Sequence, residues 1–376
     1  MARVALSAAL FTFVAGFTSA LTIDERHAPV VRASLVRLST ITNTSNIVAQ
    51  DNARLSKFKA GSEFVATGSG TAVNEVVTYI VKTVVGSQTF NLIVDTGSSN
   101  TWVGANTKYT PGSTSQSTGQ TVSVTYGSGH GNEYIDLVSI GGEAVKQSIG
   151  VATSSNGFGG LDGILGLGPE GLTQNTLPTF MQNLLSQGKI STNVLGVSFA
   201  PLSGSASQAS NGELTFGGVD SSRYTGSITF TNAIAPYWGV SPNQFKIGSV
   251  SLLGSASGIV DTGTTLIYIP SFVFTEFLLG TGGRSDSSTG LVKYRKKPSA
   301  NFSFVIGGTT YTLAPDQYLV PAAQYGNFGL TSGAFYAVVA DGGVQSPNMI
   351  LGMSFLEYYY SVYDSTNNRI GLARAR

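Results

Sequence analysis

The stretch Leu92-Ile93-Val94-Asp95-Thr96-Gly97-Ser98-Ser99 returns as Gly258-Ile259-Val260-Asp261-Thr262-Gly263-Thr264-Thr265. Each copy is followed by a second apolar element ending in Gly: Ile164-Leu165-Gly166 in the first half and Ile350-Leu351-Gly352 in the second. In each copy an apolar strand delivers Asp to a turn, and the Gly after it permits a sharp reversal and close backbone approach. The Thr and Ser hydroxyls beside the carboxylate are placed to donate hydrogen bonds to it. The two Asp residues, at 95 and 261, stand 166 positions apart, about one domain length. A repeat on that scale predicts two similar lobes, each presenting one carboxylate. Brought face to face, two carboxylates cannot both ionise easily, so they share a proton, and one acts as base while the other acts as acid. A lone Asp-Thr-Gly also recurs in phosphate-binding loops. The signal here is the pair, with matched apolar flanks, hydroxyls and downstream Gly elements.

Composition removes several other chemistries. The 376 residues contain no Cys, which excludes disulfides, thiolate metal sites and a thiol nucleophile. The two His residues, His27 and His130, are far apart, so a His-rich metal site is not expected, and neither a metal nor a cofactor is predicted. A formal net charge of +1 argues against nucleic acid as a partner, since that requires a concentrated basic face. Charged residues make up 11% where a soluble domain averages about 25%. With 41% apolar residues the chain can build a real core.

The chain divides by composition. Residues 1–20 read as a secretory signal: Arg3, then the apolar run Val4–Phe17, then Thr18-Ser19-Ala20 before a cut. The run is short of the roughly 20 apolar residues a membrane span needs, so a secreted, extracellular product without a membrane anchor is expected. Residues 21–68 carry six basic side chains (Arg26, Arg32, Arg37, Arg54, Lys57, Lys59) against four acidic ones. From Thr71 to the end the count is 14 basic and 16 acidic, net −2. A basic segment before an acidic body reads as a propeptide held by charge, or as a flexible arm. Beyond it, short β-branched and aromatic runs split by Gly, Ser, Asn and Pro predict strands. Examples are Val76–Val84, Thr121–Tyr126, Glu133–Ile140, Val194–Phe199, Ser227–Thr231 and Asn301–Ile306. Helices are predicted at Leu177–Gln187 and Pro270–Leu279, each ending at a Gly.

From about Val76 to Ala373 the sequence resembles the pepsin-like aspartic peptidases, and within them the cysteine-free secreted fungal members. The resemblance runs through Asp95–Trp102, through Val124-Thr125-Tyr126-Gly127-Ser128-Gly129 and through Asp162–Gly168. It continues in Asp220–Ser227 and in the closing segments Tyr359–Asp364 and Asn368–Ala373. It implies a mainly β, bilobal fold with a central cleft, divided here as 69–235 and 236–376. It implies a secreted, monomeric acid endopeptidase acting on polypeptides, made as a zymogen and holding its own propeptide. Asp95 and Asp261 would hold the lytic water. Ser98 and Thr264 would bond their outer oxygens, with Thr96, Gly97, Thr262 and Gly263 supporting the pair. Tyr126 would lie on a flap with its hydroxyl near Trp102 Nε1, and Gly127 and Ser128 would bond the substrate backbone. In family zymogens a propeptide Lys pairs with the carboxylates, which points here to Lys57 or Lys59.

Ile93, Tyr126, Phe158 and Ile164 are expected walls of an apolar pocket before the scissile bond. Ser128 stands where some fungal members carry Asp, so hydrophobic residues should be preferred over Lys. Asn301-Phe302-Ser303 is a glycosylation sequon. Met353 follows Gly352 where pepsin-like enzymes often have Asp, a change expected to act on local packing. Two other functions compete. A catalytically inactive pepsin-like binding or inhibitor protein usually loses an Asp-Thr-Gly, a hydroxyl partner or the flap Tyr, all present here. A phosphotransferase would need a Lys and a Gly-rich phosphate cradle, both missing.

Overall fold

The protein is described by a computed structural model covering residues 30–41, 43–60, 76–124, 128–156, 158–173 and 178–376. Strands dominate, as the short β-branched runs require. The expected strands are found at Val76–Val85, Gln116–Val124, Ser128–Ile140, Val194–Ser198, Tyr224–Asn232 and Phe302–Ile306. Among the described residues thirteen strands form one extended sheet, and further sheets have five, four and three strands.

The sequence repeat is a repeat of strand pairing. In the first half Gln88–Asp95 runs parallel to Gly163–Gly166, with Val94 beside Leu165 and Asp95 beside Gly166. Gly163–Gly166 then pairs antiparallel with Thr101–Val103, which runs parallel to Glu143–Asn156. In the second half Gly258–Val260 runs parallel to Met349–Leu351, with Val260 beside Leu351. Met349–Leu351 pairs antiparallel with Ile267–Ile269, which runs parallel to Val339–Asp341. The order of parallel, antiparallel and parallel contacts is the same in both. Each downstream Gly sits where the chain returning from its Asp turn passes closest: a Cβ on Gly166 would lie 2.5 Å from the Asn100 backbone, and one on Gly352 2.2 Å from Leu266 O. The closing strands Tyr359–Asp364 and Arg369–Ala375 join Val194–Ser198 and Tyr224–Asn232 in the large sheet, which ties the chain's end to its middle.

The helix predicted at Leu177–Gln187 is Phe180–Ser186, begun by Thr179 in a capping box with Gln182. The other, Ser271–Thr281, runs past Gly280 and ends at Gly282, whose φ of 74° makes it the C-terminal cap. Gly280, in the last turn, lies against Ile247, where a Cβ would come within 2.7 Å of the side chain. Met353, at the start of the short helix Met353–Leu356, is buried, and its N–H donates to Thr264 O at 2.7 Å.

The N-terminal segment holds structure that its composition did not announce. Val31–Thr40 is a strand inserted between Gln208–Phe216 and Val76–Val85. Thr44–Ala60 is a helix of 17 residues. Its buried face is Thr44, Ile47, Val48, Asp51, Arg54, Leu55 and Phe58, a stripe at helical spacing. Two of those seven positions are charged and one is a Thr, which interrupts the apolar periodicity that would have revealed it. Arg37 of the strand pairs with Glu357 at 2.7 Å, and Arg32 lies 3.3 Å from Asp220.

Candidate active site

Asp95 ends its strand and Asp261 follows the equivalent strand in the other half, so the two turns meet at the seam. Each carboxylate has the same surroundings. Gly97 N–H donates to Asp95 Oδ1 at 3.0 Å and Ser98 Oγ to Oδ2 at 2.5 Å. Gly263 N–H donates to Asp261 Oδ1 at 3.1 Å and Thr264 Oγ1 to Oδ2 at 2.5 Å. Both Asp residues are fully buried.

Thr96 and Thr262 do something the sequence did not reveal. Rather than touching the carboxylates, they clasp one another. Thr96 N–H donates to Thr262 Oγ1 at 2.9 Å, and Thr262 N–H donates to Thr96 Oγ1 at 3.0 Å. Each hydroxyl then donates onward, Thr96 to Val260 O and Thr262 to Val94 O. Four buried polar groups are satisfied across the seam, which fixes one Asp turn against the other.

The cation between the carboxylates is Arg54. Its Nη2 bonds both Asp95 Oδ1 and Asp261 Oδ1, the latter at 2.9 Å, and its Nε donates to Asp261 Oδ2 at 2.7 Å. The expectation of Lys57 or Lys59 in this place is therefore corrected. In the helix, Arg54 belongs to the buried stripe with Asp51 and Phe58. Lys59, one position past Phe58, lies off it and donates its Nζ to Gly342 O at 2.7 Å. Lys57 sits near enough to feel both Arg54 and Asp95, and burial together with the Arg54 charge lowers it to about 8. A planar guanidinium serves two carboxylates at once through its fork of donors, which a single ammonium does less well. Arg and Lys are equally basic to a charge count, which is why the sequence did not separate them.

The two carboxyls differ electrostatically. At Asp95 burial raises the pKa, and the Asp261 charge raises it further against the pull of Arg54. At Asp261 burial also pushes upward, but the Arg54 charge and hydrogen bonds, with those of Thr264 and Gly263, outweigh it and hold the carboxyl below its ordinary value. While Arg54 is bound the two carboxyls are thus pushed apart, Asp95 above and Asp261 below the ordinary value.

Ile93, Phe158 and Ile164 come together in one buried apolar cluster with Trp102, Ile80, Val122, Ala152 and Leu161. Val36 and Leu38 of the N-terminal strand pack against it. Trp102 is nearly fully buried against Gly150, and its Nε1 has no hydrogen-bond partner among the described residues. Tyr126 and Gly127 lie outside the described residues, as does the side chain of Ser128. The strands on either side of them pair as far as Val124 and Gly129. Phe58 of the helix meets Tyr237 edge-on at 4.8 Å, beside the dyad. Asn301 is exposed at the start of the strand Phe302–Ile306. Among the described residues no group of His, Asp and Glu is placed to hold a metal ion, and no helix is long and apolar enough to cross a membrane.

Residues 78–375 match the family model described as eukaryotic aspartyl protease. The chain belongs to that family. It is similar to polyporopepsin of Irpex lacteus, 46% identical over 332 residues that cover 82% of this chain and 97% of that protein. It is also similar to gastricsin of Cavia porcellus, at 34% identity over 77% of each chain. Vacuolar protease A of Aspergillus fumigatus is 32% identical over 77% of this chain and 76% of its own. The crystal structure of the aspartic proteinase from Irpex lacteus superposes with a TM-score of 0.75, at 45% identity, covering 82% of this chain and 98% of that one. The protein is an aspartic endopeptidase of the bilobal, mainly β kind, and nothing in these relationships favours the inactive binding protein.

Proposed function

We propose that the chain is the zymogen of a secreted acid endopeptidase whose residues 21–68 are a propeptide and whose Asp95 and Asp261 are the catalytic pair. The observation that carries this reading is Arg54 held between two equivalently built carboxylates. A cation there neutralises the dyad and occupies the space a substrate carbonyl and a water would need.

Once Arg54 leaves, Asp95 and Asp261 face each other with one proton between them. The ionised carboxylate takes a proton from a water molecule as that water attacks the scissile carbonyl. The protonated partner donates to the carbonyl oxygen, the tetrahedral species collapses, and the nitrogen leaves with a proton. No acyl-enzyme forms. Ser98 and Thr264 keep the outer oxygens oriented, Gly97 and Gly263 support the inner ones, and the Thr96–Thr262 clasp keeps the two turns in register. Tyr126, Gly127 and Ser128 act as a flap over the cleft. The cluster around Ile93, Phe158 and Ile164, relieved of Val36 and Leu38, takes the hydrophobic side chain before the scissile bond. The lobes are 69–235 and 236–376. Asn301 is open to glycosylation on the secretory route.

The test is to acidify the purified full-length chain while following its mass and the hydrolysis of a denatured protein. Shortening of the chain should accompany the onset of hydrolysis, and Asp95→Ala should show neither. A chain that shortens yet hydrolyses nothing would return the reading to a binding protein.

A further inference from the structure

Besides the threonine clasp, one buried aromatic side chain joins the two Asp turns. Trp238 is 3% exposed, and its ring meets that of Tyr363 edge-on at 5.4 Å. Its backbone carbonyl accepts at 3.0 Å from the N–H of Val260, the residue before Asp261. Its indole Nε1–H donates to Leu167 O at 3.1 Å, in a bond buried at both ends. Leu167 N–H in turn donates to Asp95 O at 2.7 Å. A relay of hydrogen bonds therefore runs from the main chain of Asp95 through Leu167 and Trp238 to Val260, and so to Asp261. Val260 belongs to the clasp as well, since its carbonyl accepts from Thr96 Oγ1. Two links of the relay are main chain to main chain and would survive any side chain at position 238. The third is a single indole N–H.

We propose that Trp238 is a positioning residue of the dyad, whose indole N–H holds the Asp95 turn, through Leu167, in a fixed place relative to the strand that delivers Asp261. The inference rests on reading Asp95 and Asp261 as the catalytic pair. Trp suits the role because its ring is rigid and its one polar atom only donates. The clasp holds the residue after each Asp, whereas the relay holds the carbonyl of Asp95 itself and the residue before Asp261. Together they fix the pair from more than one point of the main chain. Trp238 is buried and offers a substrate no surface, so its effect falls on the pair and not on binding. Coupling between two carboxyls weakens as they separate, which brings their two apparent pKa values together. Once residues 21–68 leave, the titratable groups that remain close to Asp261, besides Asp95, are the Tyr237 and Tyr363 hydroxyls. Burial raises both above their ordinary value, so they are silent in acid.

The experiment replaces Trp238 in the full-length chain by benzothienylalanine, which keeps the fused ring and lacks the N–H, and separately makes Trp238→Phe. Hydrolysis of a peptide substrate is then measured across the acid range after acid treatment. With benzothienylalanine kcat should fall about tenfold while KM stays within about twofold of wild type, since only the placement of the pair is disturbed. The bell of kcat against pH should also narrow, because its two limbs report the coupled carboxyls. Trp238→Phe, which shrinks the ring as well, should fall further. A kcat within about twofold of wild type, or a lowered kcat over a bell of unchanged width, would show a ring that only fills space and overturn the proposal. Should Trp238→Phe fail to fold, the benzothienylalanine chain alone decides. Failure of the catalytic assignment itself would appear separately, as Asp95→Asn that hydrolyses at the wild-type rate.

Discussion

Thr96 and Thr262 are bound to each other backbone to hydroxyl in both directions, at 2.9 and 3.0 Å, across the seam that separates their Asp neighbours. This contact links positions far apart in sequence and makes two separate turns into one site. Replacing Thr96 by Val keeps the shape and removes a hydroxyl that both accepts and donates. The Thr262 N–H and Val260 O are then left buried without that partner, at a cost of about 1–3 kcal/mol. A loosened dyad should also lose about tenfold to a hundredfold in kcat with a smaller change in KM. Thermal unfolding and steady-state kinetics on the acid-treated enzyme measure both, and an unchanged kcat would show that the clasp is only structural.

Arg54 should hold the enzyme latent. Arg54→Gln removes the cation from between two buried carboxylates, and breaking a buried pair costs about 3–5 kcal/mol. The variant is expected to begin hydrolysing protein at a higher pH than wild type. Arg54→Lys should fall between them, since one ammonium serves two carboxylates less well. Activation at the wild-type pH in Arg54→Gln would move the inhibitory role elsewhere, with Lys57 next in line.

The pH response follows from Asp261. Its pKa in the docked state lies below the ordinary carboxyl value, so the stabilisation it gives is present above about 4 and is lost as pH falls through the docked value. Asp95, raised by burial and by its partner's charge against the pull of Arg54, does not add to that loss. Amide hydrogen exchange across the helix 44–60 should therefore stay slow in mild acid and accelerate below about pH 4. Protection that persists unchanged into stronger acid would contradict a dyad-controlled release.

Substrate preference should be apolar before the scissile bond. The cluster of Ile93, Phe158 and Ile164 contains no charged member. Matched peptides carrying Phe or Lys at that position should differ by tenfold or more in kcat/KM, roughly the discrimination of 1–3 kcal/mol available to an apolar pocket. Phe158→Ala should narrow the gap. Equal rates for the two peptides would remove these residues from the pocket.

Much of this was open to sequence reading. The Asp-Thr-Gly repeat and its downstream Gly elements appear as matched words because each half repeats one strand-pairing pattern, with Gly166 and Gly352 filling the same tight crossing. Local words of this kind survive in a single sequence. Contacts made across the fold do not, and the Thr96–Thr262 clasp is one. The helix Thr44–Ala60 was hidden for another reason. Its buried face carries Asp51 and Arg54 because it packs against the Thr265 and Leu266 N–H groups and the carboxylates of Asp95 and Asp261, so it does not show an apolar stripe. The same fact hid Arg54, which a count of basic residues cannot distinguish from Lys57 and Lys59.

The central claim is that Asp95 and Asp261 together perform the hydrolysis. It is tested most directly by comparing acid-treated wild type with Asp95→Asn and Asp261→Asn in cleavage of a denatured protein, after removing residues 21–68 from all three by the same added protease. Asn keeps the size of each side chain and cannot carry the shared proton. Each substitution should lower kcat by about a thousandfold or more, the scale of a lost general acid–base step. A variant that retains activity within about tenfold of wild type would contradict the account, because such a residue would not be exchanging the proton on which hydrolysis depends.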